Sequence, residues 1–193
     1  MKIFCVGIGG IGLSAVAELL KSRGHDVTGS DRTSSEITRR LHQNGIPVLH
    51  QHSKENIDHS FDLLIYSEAV PSDNPERLQA SGFGIRQITY ARALGDLSKE
   101  KDTIAITGTH GKTTVTGMLT SILIQSDLDP TILIGSKVDQ LGGRNFRVGQ
   151  GRYFLTEACE YRENFLELSP YLVLINNLDP DHLDYYHDAQ SYF

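Results

Sequence analysis

Apolar residues fall along this chain in two rhythms. Short, nearly unbroken runs occur at residues 2–6, 61–66, 103–107, 131–134, 153–156 and 171–175, with weaker ones at 27–29, 46–49 and 84–88. Each is strand-sized, and such runs suit strands buried on both faces of a parallel sheet. Between them, helical spacing takes over. Val16, Leu19 and Leu20 form one stripe, which Gly24 is placed to end. Val115, Met118, Leu119, Ile122 and Leu123 are predicted to form the apolar face of another helix. Helical patterns also cover about residues 34–44, 75–81 and 90–97. Strand–helix alternation predicts an α/β fold with parallel sheets covered on both faces.

The stretch 98–102, Ser-Lys-Glu-Lys-Asp, has no apolar residue and predicts a domain boundary. The expected division is a Rossmann-like parallel-sheet domain over 1–98 and a P-loop-type α/β domain over 99–193. The second half holds about four predicted strands, thin for a free-standing nucleotide-binding domain. The chain is therefore expected to be part of a longer protein, its second domain incomplete.

Each half opens on a strand, a glycine turn and a helix. In the second half the turn is Gly108-Thr109-His110-Gly111-Lys112-Thr113-Thr114. Glycines let backbone N–H groups close around phosphate oxygens. Lys112 can set a point charge between the outer phosphates, and the Thr113 hydroxyl can reach a magnesium ion. The helix start adds its positive end. The spacing is shorter than the standard phosphate loop, with only Thr109 and His110 between Gly108 and Gly111. The strand–loop–helix context carries the assignment.

In the first half, Gly7-Ile-Gly9-Gly10-Ile11-Gly12 follows strand 2–6, and Ser30 and Asp31 close the second strand about 20 residues on. This matches the dinucleotide fingerprint: a diphosphate at the helix start and an acid near a sugar hydroxyl. The fingerprint does not choose the nucleotide. NAD fits it, as does any ligand with a ribose and a diphosphate.

Composition narrows the field. The chain has 193 residues, 39% hydrophobic and 22% charged, within the globular range. A net charge of −6 argues against a nucleic-acid or anionic-membrane surface. No apolar run approaches the roughly 20 residues of a membrane span. The apolar start breaks at once into glycines, so no signal peptide is expected. Two cysteines, Cys5 and Cys159, suit a reducing, cytoplasmic setting rather than a disulfide framework. Cys5 is expected to be a small core residue.

Acidic residues supply the remaining candidate chemistry. Glu157 ends the run 153–156, where parallel sheets collect ligands, and could bind magnesium. Glu160 and Glu163 lie close by, and sequence alone does not choose among the three. Asp179, Asp181, His182 and Asp184 cluster after the run 171–175. Zinc would want more His or Cys; magnesium prefers oxygen; a plain helix-capping loop is the simplest alternative.

Taken in order, Gly-Thr-His-Gly-Lys-Thr-Thr, Glu157-Ala-Cys-Glu-Tyr and Asn177-Leu-Asp-Pro-Asp-His182-Leu-Asp resemble the Mur ligases of bacterial cell-wall synthesis. So do Val6–Ser14, Gly29-Ser-Asp31 and Ser72-Asp-Asn-Pro-Glu76, and the likeness spans essentially the whole chain. The resemblance implies an ATP- and Mg²⁺-dependent ligase. A substrate carboxylate takes the γ-phosphoryl group, and an amine displaces it to form an amide. Within the family, the likeness points to L-alanine and UDP-N-acetylmuramate as substrates; the nearest rival joins a recycled tripeptide to the same UDP-sugar. It further implies Lys112 on the ATP phosphates, Thr113 and Glu157 on one magnesium, and His182 on a second. Gly9, Gly10, Ile11 and Gly12 would receive the UDP diphosphate, with Ser30, Asp31, His52 and Ser67 near the nucleotide. An NAD-dependent oxidoreductase or a non-catalytic nucleotide-binding module are the more distant alternatives; the former leaves the second half unexplained.

Overall fold

The computed structural model describes residues 1–180 and 185–186. The chain divides into two compact units, Met1–Ala93 and Leu94–Phe193, within the helix Tyr90–Ser98.

The first unit runs β1 (Lys2–Val6), α1 (Ile11–Ser22), β2 (Asp26–Ser30), α2 (Glu36–Gln43), β3 (Val48–Leu49), β4 (Leu63–Tyr66), α3 (Pro75–Gly82), β5 (Arg86–Thr89) and the start of α4 (Tyr90–Ser98). The strands are all parallel, in the order β3-β2-β1-β4-β5. The helix ends are chemically specified. Gly24, at φ 84°, ends α1 in a conformation that costs other residues energy. Ser35 and Thr38 form a reciprocal cap on α2, and Asn74 caps α3 ahead of Pro75. One core cluster, Phe4, Val6, Ile57, Phe61, Leu64, Val70 and Ala80, includes an edge-on Phe4–Phe61 pair 5.2 Å apart. Cys5 lies fully inside the sheet, and burial pushes its thiol up to about 12, which makes it an inert core residue.

Strand order reverses between β1 and its two neighbours, which opens a crevice at the carboxyl ends of β1, β2 and β4. Gly29 of β2 lies opposite Cys5 in the register. A Cβ there would come within 2.5 Å of the Cys5 carbonyl oxygen, a backbone atom with no room to yield. Gly29→Ala is therefore expected to cost roughly 1–3 kcal/mol, read as a lowered thermal midpoint.

The second unit runs β6 (Asp102–Thr107), α5 (Lys112–Gln125), β7 (Thr131–Val138), β8 (Arg144–Arg147), β9 (Tyr153–Glu157) and β10 (Leu172–Ile175). The sheet order is β10-β6-β9-β7-β8. Four strands are parallel, and β8 pairs antiparallel with β7. That hairpin departs from the all-parallel expectation. Its β8 strand, Arg144-Asn-Phe-Arg147, has a single apolar residue and so gave no run to read.

The α5 face differs too. Leu123 is buried and Val115 and Leu119 pack against the same core, but Met118 and Ile122 are 59% and 57% exposed, while Thr116, Gly117 and Thr120 face inward. The helix is apolar on several sides, so periodicity does not single out a face. Small residues form the closely packed one. The core beneath is Ile106, Leu123, Ile132, Ile134, Val138 and Leu155.

Candidate functional site

In the second unit, β6 feeds directly into the loop Gly108–Gly111 and then α5. Gly108 (φ 126°) and Gly111 (φ 79°) both adopt conformations that favour glycine. A Cβ on Gly108 would also lie 2.9 Å from the Asn177 carbonyl oxygen. Gly111 caps α5 without any side-chain hydrogen bond.

The loop is braced from the segment after β10, whose Ile175 pairs beside Thr107. The Asn177 side chain accepts the His110 N–H through Oδ1 at 2.9 Å. Its Nδ2 donates to the His110 carbonyl at 3.0 Å. Asn176 Nδ2 donates to the same carbonyl at 3.3 Å. The Thr109 hydroxyl donates to the Asp179 carbonyl at 2.5 Å and accepts the Asp179 N–H at 3.0 Å. The role of Asn176 and Asn177 as loop clamps was not legible in the sequence, because the partners lie more than 60 residues apart.

Lys112 Nζ donates to the Gly108 carbonyl at 2.5 Å and to both Glu160 oxygens at 2.9 and 3.1 Å. Glu160 is thus committed to the lysine. Glu157 stands differently. The register Ile106↔Glu157 sets it against β6, at the loop end of the sheet. Its Oε2 accepts the Gly135 N–H at 2.9 Å, while Oε1 is buried without a hydrogen-bond partner. Next to Gly135, the Ser136 hydroxyl lies 3.5 Å from Thr113 Oγ1. Thr114 is exposed on the first turn of α5. Glu163 sits at φ 59° in the turn after β9. An unpartnered buried carboxylate oxygen suits a hard divalent cation, which takes oxygen ligands. His182 lies outside the described residues. Among those residues, no group of three or more His, Cys, Asp or Glu could hold a metal by itself, so nucleotide oxygens would have to complete any coordination.

In the first unit the glycine turn is tied to the end of β2. The N–H groups of Gly7 and Ile8 donate to the Ser30 carbonyl at 2.8 and 3.0 Å. Gly9 N–H donates to Asp31 Oδ2 at 2.9 Å, and Asp31 Oδ1 accepts the Thr33 N–H at 2.9 Å. A Cβ on Gly9 would come within 2.7 Å of that Asp31 oxygen, so the glycine admits the carboxylate. At Gly12 the added atom would meet the Tyr90 ring at 2.6 Å. Gly10 caps α1 with no side-chain bond, and Ile11 is partly exposed on its first turn. Ser67 follows β4 and faces Gly7. Asp31, Arg32, His52, Val70, Pro71 and Asn74 border a cavity of about 170 Å³. Ser30 is fully buried, and its hydroxyl donates to Glu76 at 2.7 Å. Glu76 and Asn56 joined no candidate set from sequence, though the Asn74-Pro75 cap that orients Glu76 is readable there.

Two units, each with a glycine turn between its first strand and helix, define an α/β nucleotide-binding architecture. The chain belongs to the Mur ligase family: residues 2–102 match the model described as "Mur ligase family, catalytic domain", and residues 106–193 match "Mur ligase middle domain". UDP-N-acetylmuramate–L-alanine ligase from Clostridium beijerinckii is 48% identical over 191 residues, 98% of this chain and 41% of that protein. The same-named enzyme of Acetivibrio thermocellus is 47% identical over 186 residues, 96% of this chain and 39% of its own length. In fold, the chain is similar to UDP-N-acetylmuramate-alanine ligase from Thermotoga maritima, with a TM-score of 0.91 and 38% identity over all of this chain and 45% of that one. A murein peptide ligase from Psychrobacter arcticus gives 0.86 and 27%, over 95% of this chain and 44% of its own. The chain therefore spans about two fifths of the length of these curated relatives. Among the described residues, no helix is long and apolar enough to cross a membrane.

Proposed function

We propose that the full-length protein is a cytoplasmic ligase that joins L-alanine to UDP-N-acetylmuramate while consuming ATP, in the synthesis of peptidoglycan precursors. Residues 1–98 form its UDP-sugar domain, and residues 99–193 begin its ATP domain. The observation that carries this reading is the second-unit site: Lys112 held by a carboxylate and a loop carbonyl, beside a Glu157 oxygen with no partner. Its setting in a chain close in sequence to alanine-adding ligases supports the substrate choice.

The N–H groups of 108–114 hold the ATP phosphates, and Lys112 exchanges Glu160 for phosphate oxygens. Thr113 and Glu157 hold magnesium, with His182 on a second ion. The bound metal would neutralise charge on the transferring group. In the first unit, Gly9–Gly12 face the diphosphate. Asp31, His52 and Ser67 line the nucleotide, and Ser30 supports them from beneath.

The test is calorimetry on this chain with UDP-N-acetylmuramate and with NAD. Binding of the UDP-sugar and not of NAD is expected; heat from NAD alone would overturn the reading.

A further inference from the structure

Glu76 is a fully buried carboxylate for which the proposed reaction has no use. It sits in the first turn of α3, behind the cavity bordered by Asp31 and His52. Each of its oxygens is engaged. Oε1 accepts from Asn56 Nδ2 at 2.6 Å, and that amide also donates to the Gln51 carbonyl at 2.7 Å. Oε2 accepts the Ser30 hydroxyl at 2.7 Å and lies 2.7 Å from His52 Nδ1. Ser30 Oγ is 3.0 Å from the same Nδ1.

With Glu76 ionised and the His52 ring neutral, proton bookkeeping allows one arrangement. A carboxylate only accepts, and a bare Nδ1 lone pair facing it at 2.7 Å would be repelled. The single Ser30 proton goes to Glu76, so Ser30 can only accept from the ring. Nδ1 therefore carries a proton that Glu76 and Ser30 share. The second nitrogen, Nε2, has no protein partner among the described residues, and the ring borders the cavity.

We propose that Glu76 is a positioning residue for nucleotide binding: it fixes His52 as the Nδ1–H tautomer and so presents Nε2 as an acceptor toward the cavity beside Asp31. The ligand group recognised is a hydrogen-bond donor on a nucleoside, a ribose hydroxyl or a base N–H, rather than phosphate. The ligand half rests on reading this unit as the uridine-nucleotide pocket; the tautomer half does not. The same logic orients metal-bound histidines, whose second nitrogen is fixed by a carboxylate.

Two measurements test this. Nitrogen-15 NMR of the imidazole in the unaltered, ligand-free chain should show His52 protonated at Nδ1, whereas neutral histidine in water favours Nε2–H. An Nε2–H signal overturns the proposal without any variant. In Glu76→Gln, turning the new NH₂ toward Asn56 would set donor against donor, so it turns toward the Ser30–His52 pair, where Ser30 Oγ and Nδ1 can accept it once the ring proton moves to Nε2. The Nδ1–H signal should be lost, and UDP affinity by calorimetry should fall about tenfold. Inorganic pyrophosphate, which has no nucleoside donors, should bind both proteins alike. An unchanged tautomer and affinity in the variant overturn the proposal, as does an equal loss for pyrophosphate. If the unaltered chain shows Nδ1–H but no affinity for UDP, the uridine reading fails and the positioning role stands.

Discussion

Replacing Lys112 with alanine is expected to weaken ATP–magnesium binding by roughly tenfold to a hundredfold and also to lower the thermal midpoint of the ligand-free protein. The first effect follows from losing a charge-assisted contact to phosphate, a class of bond worth about 1.5–3 kcal/mol. The second follows from what the lysine touches when no ligand is bound. Its ammonium lies 2.9 Å from Glu160, and the two side chains are only 19% and 9% exposed. Removing one partner of a largely buried pair strands the other's charge, which costs more than the pair contributed. Lys112→Ala combined with Glu160→Gln should therefore regain most of the lost midpoint, because the stranded charge is gone, while ATP binding stays weak. Equilibrium binding and thermal melts on the three variants separate the two effects. A double variant as unstable as Lys112→Ala would show that the ion pair is not what the lysine contributes to the fold.

That pair also marks where reading a sequence stops. The glycine turns were legible because their chemistry is local: Gly108 and Gly111 need backbone angles that only glycine takes easily, and their strand–helix setting is contiguous. In the first-unit sheet β1 and β4 were legible as compact apolar runs, whereas β2 and β5, with one apolar residue each, were legible from their place in the strand–helix alternation. The partners that finish each site are not local. Lys112 meets Glu160 across 48 residues, His110 meets Asn177 across 67, and His52 meets Glu76 across 24. No spacing rule announces such pairs; the strand order that brings them together does. Among Glu157, Glu160 and Glu163 the sequence offered three equivalent carboxylates. Packing separates the first two by giving Glu160 a lysine and leaving Glu157 Oε1 bare. The α5 face was legible in part: Val115, Leu119 and Leu123 pack on the core, but Met118 and Ile122 do not, because the helix has too many apolar positions for periodicity to choose among. The motif around His182 lies outside the described residues, so its metal role rests on resemblance.

Glu157→Gln should separate structure from function by the sign of its effect. If Glu157 were a structural residue, losing its charge would destabilise the protein. Its Oε2 keeps the Gly135 N–H, a bond that an amide oxygen can also accept. Its Oε1 is buried and unpaired, so in the metal-free protein the charge is an uncompensated cost. The amide removes that charge and keeps the shape. Glu157→Gln is therefore expected to raise the thermal midpoint of the magnesium-free protein by about 2–4 °C, the shift that about 1 kcal/mol produces in a chain of this size. The same change should abolish the further rise that magnesium and ATP give the unaltered chain, because binding to the native state stabilises only while the ligand still binds. In the full-length enzyme it should lower turnover by roughly a thousandfold, as expected when an ion that neutralises a transferring phosphoryl group loses its anchor. A residue that makes the resting protein less stable and the loaded protein more stable is one retained for its ligand. A lowered midpoint in Glu157→Gln, with the magnesium response intact, would instead place Glu157 in the scaffold and move the metal to other oxygens.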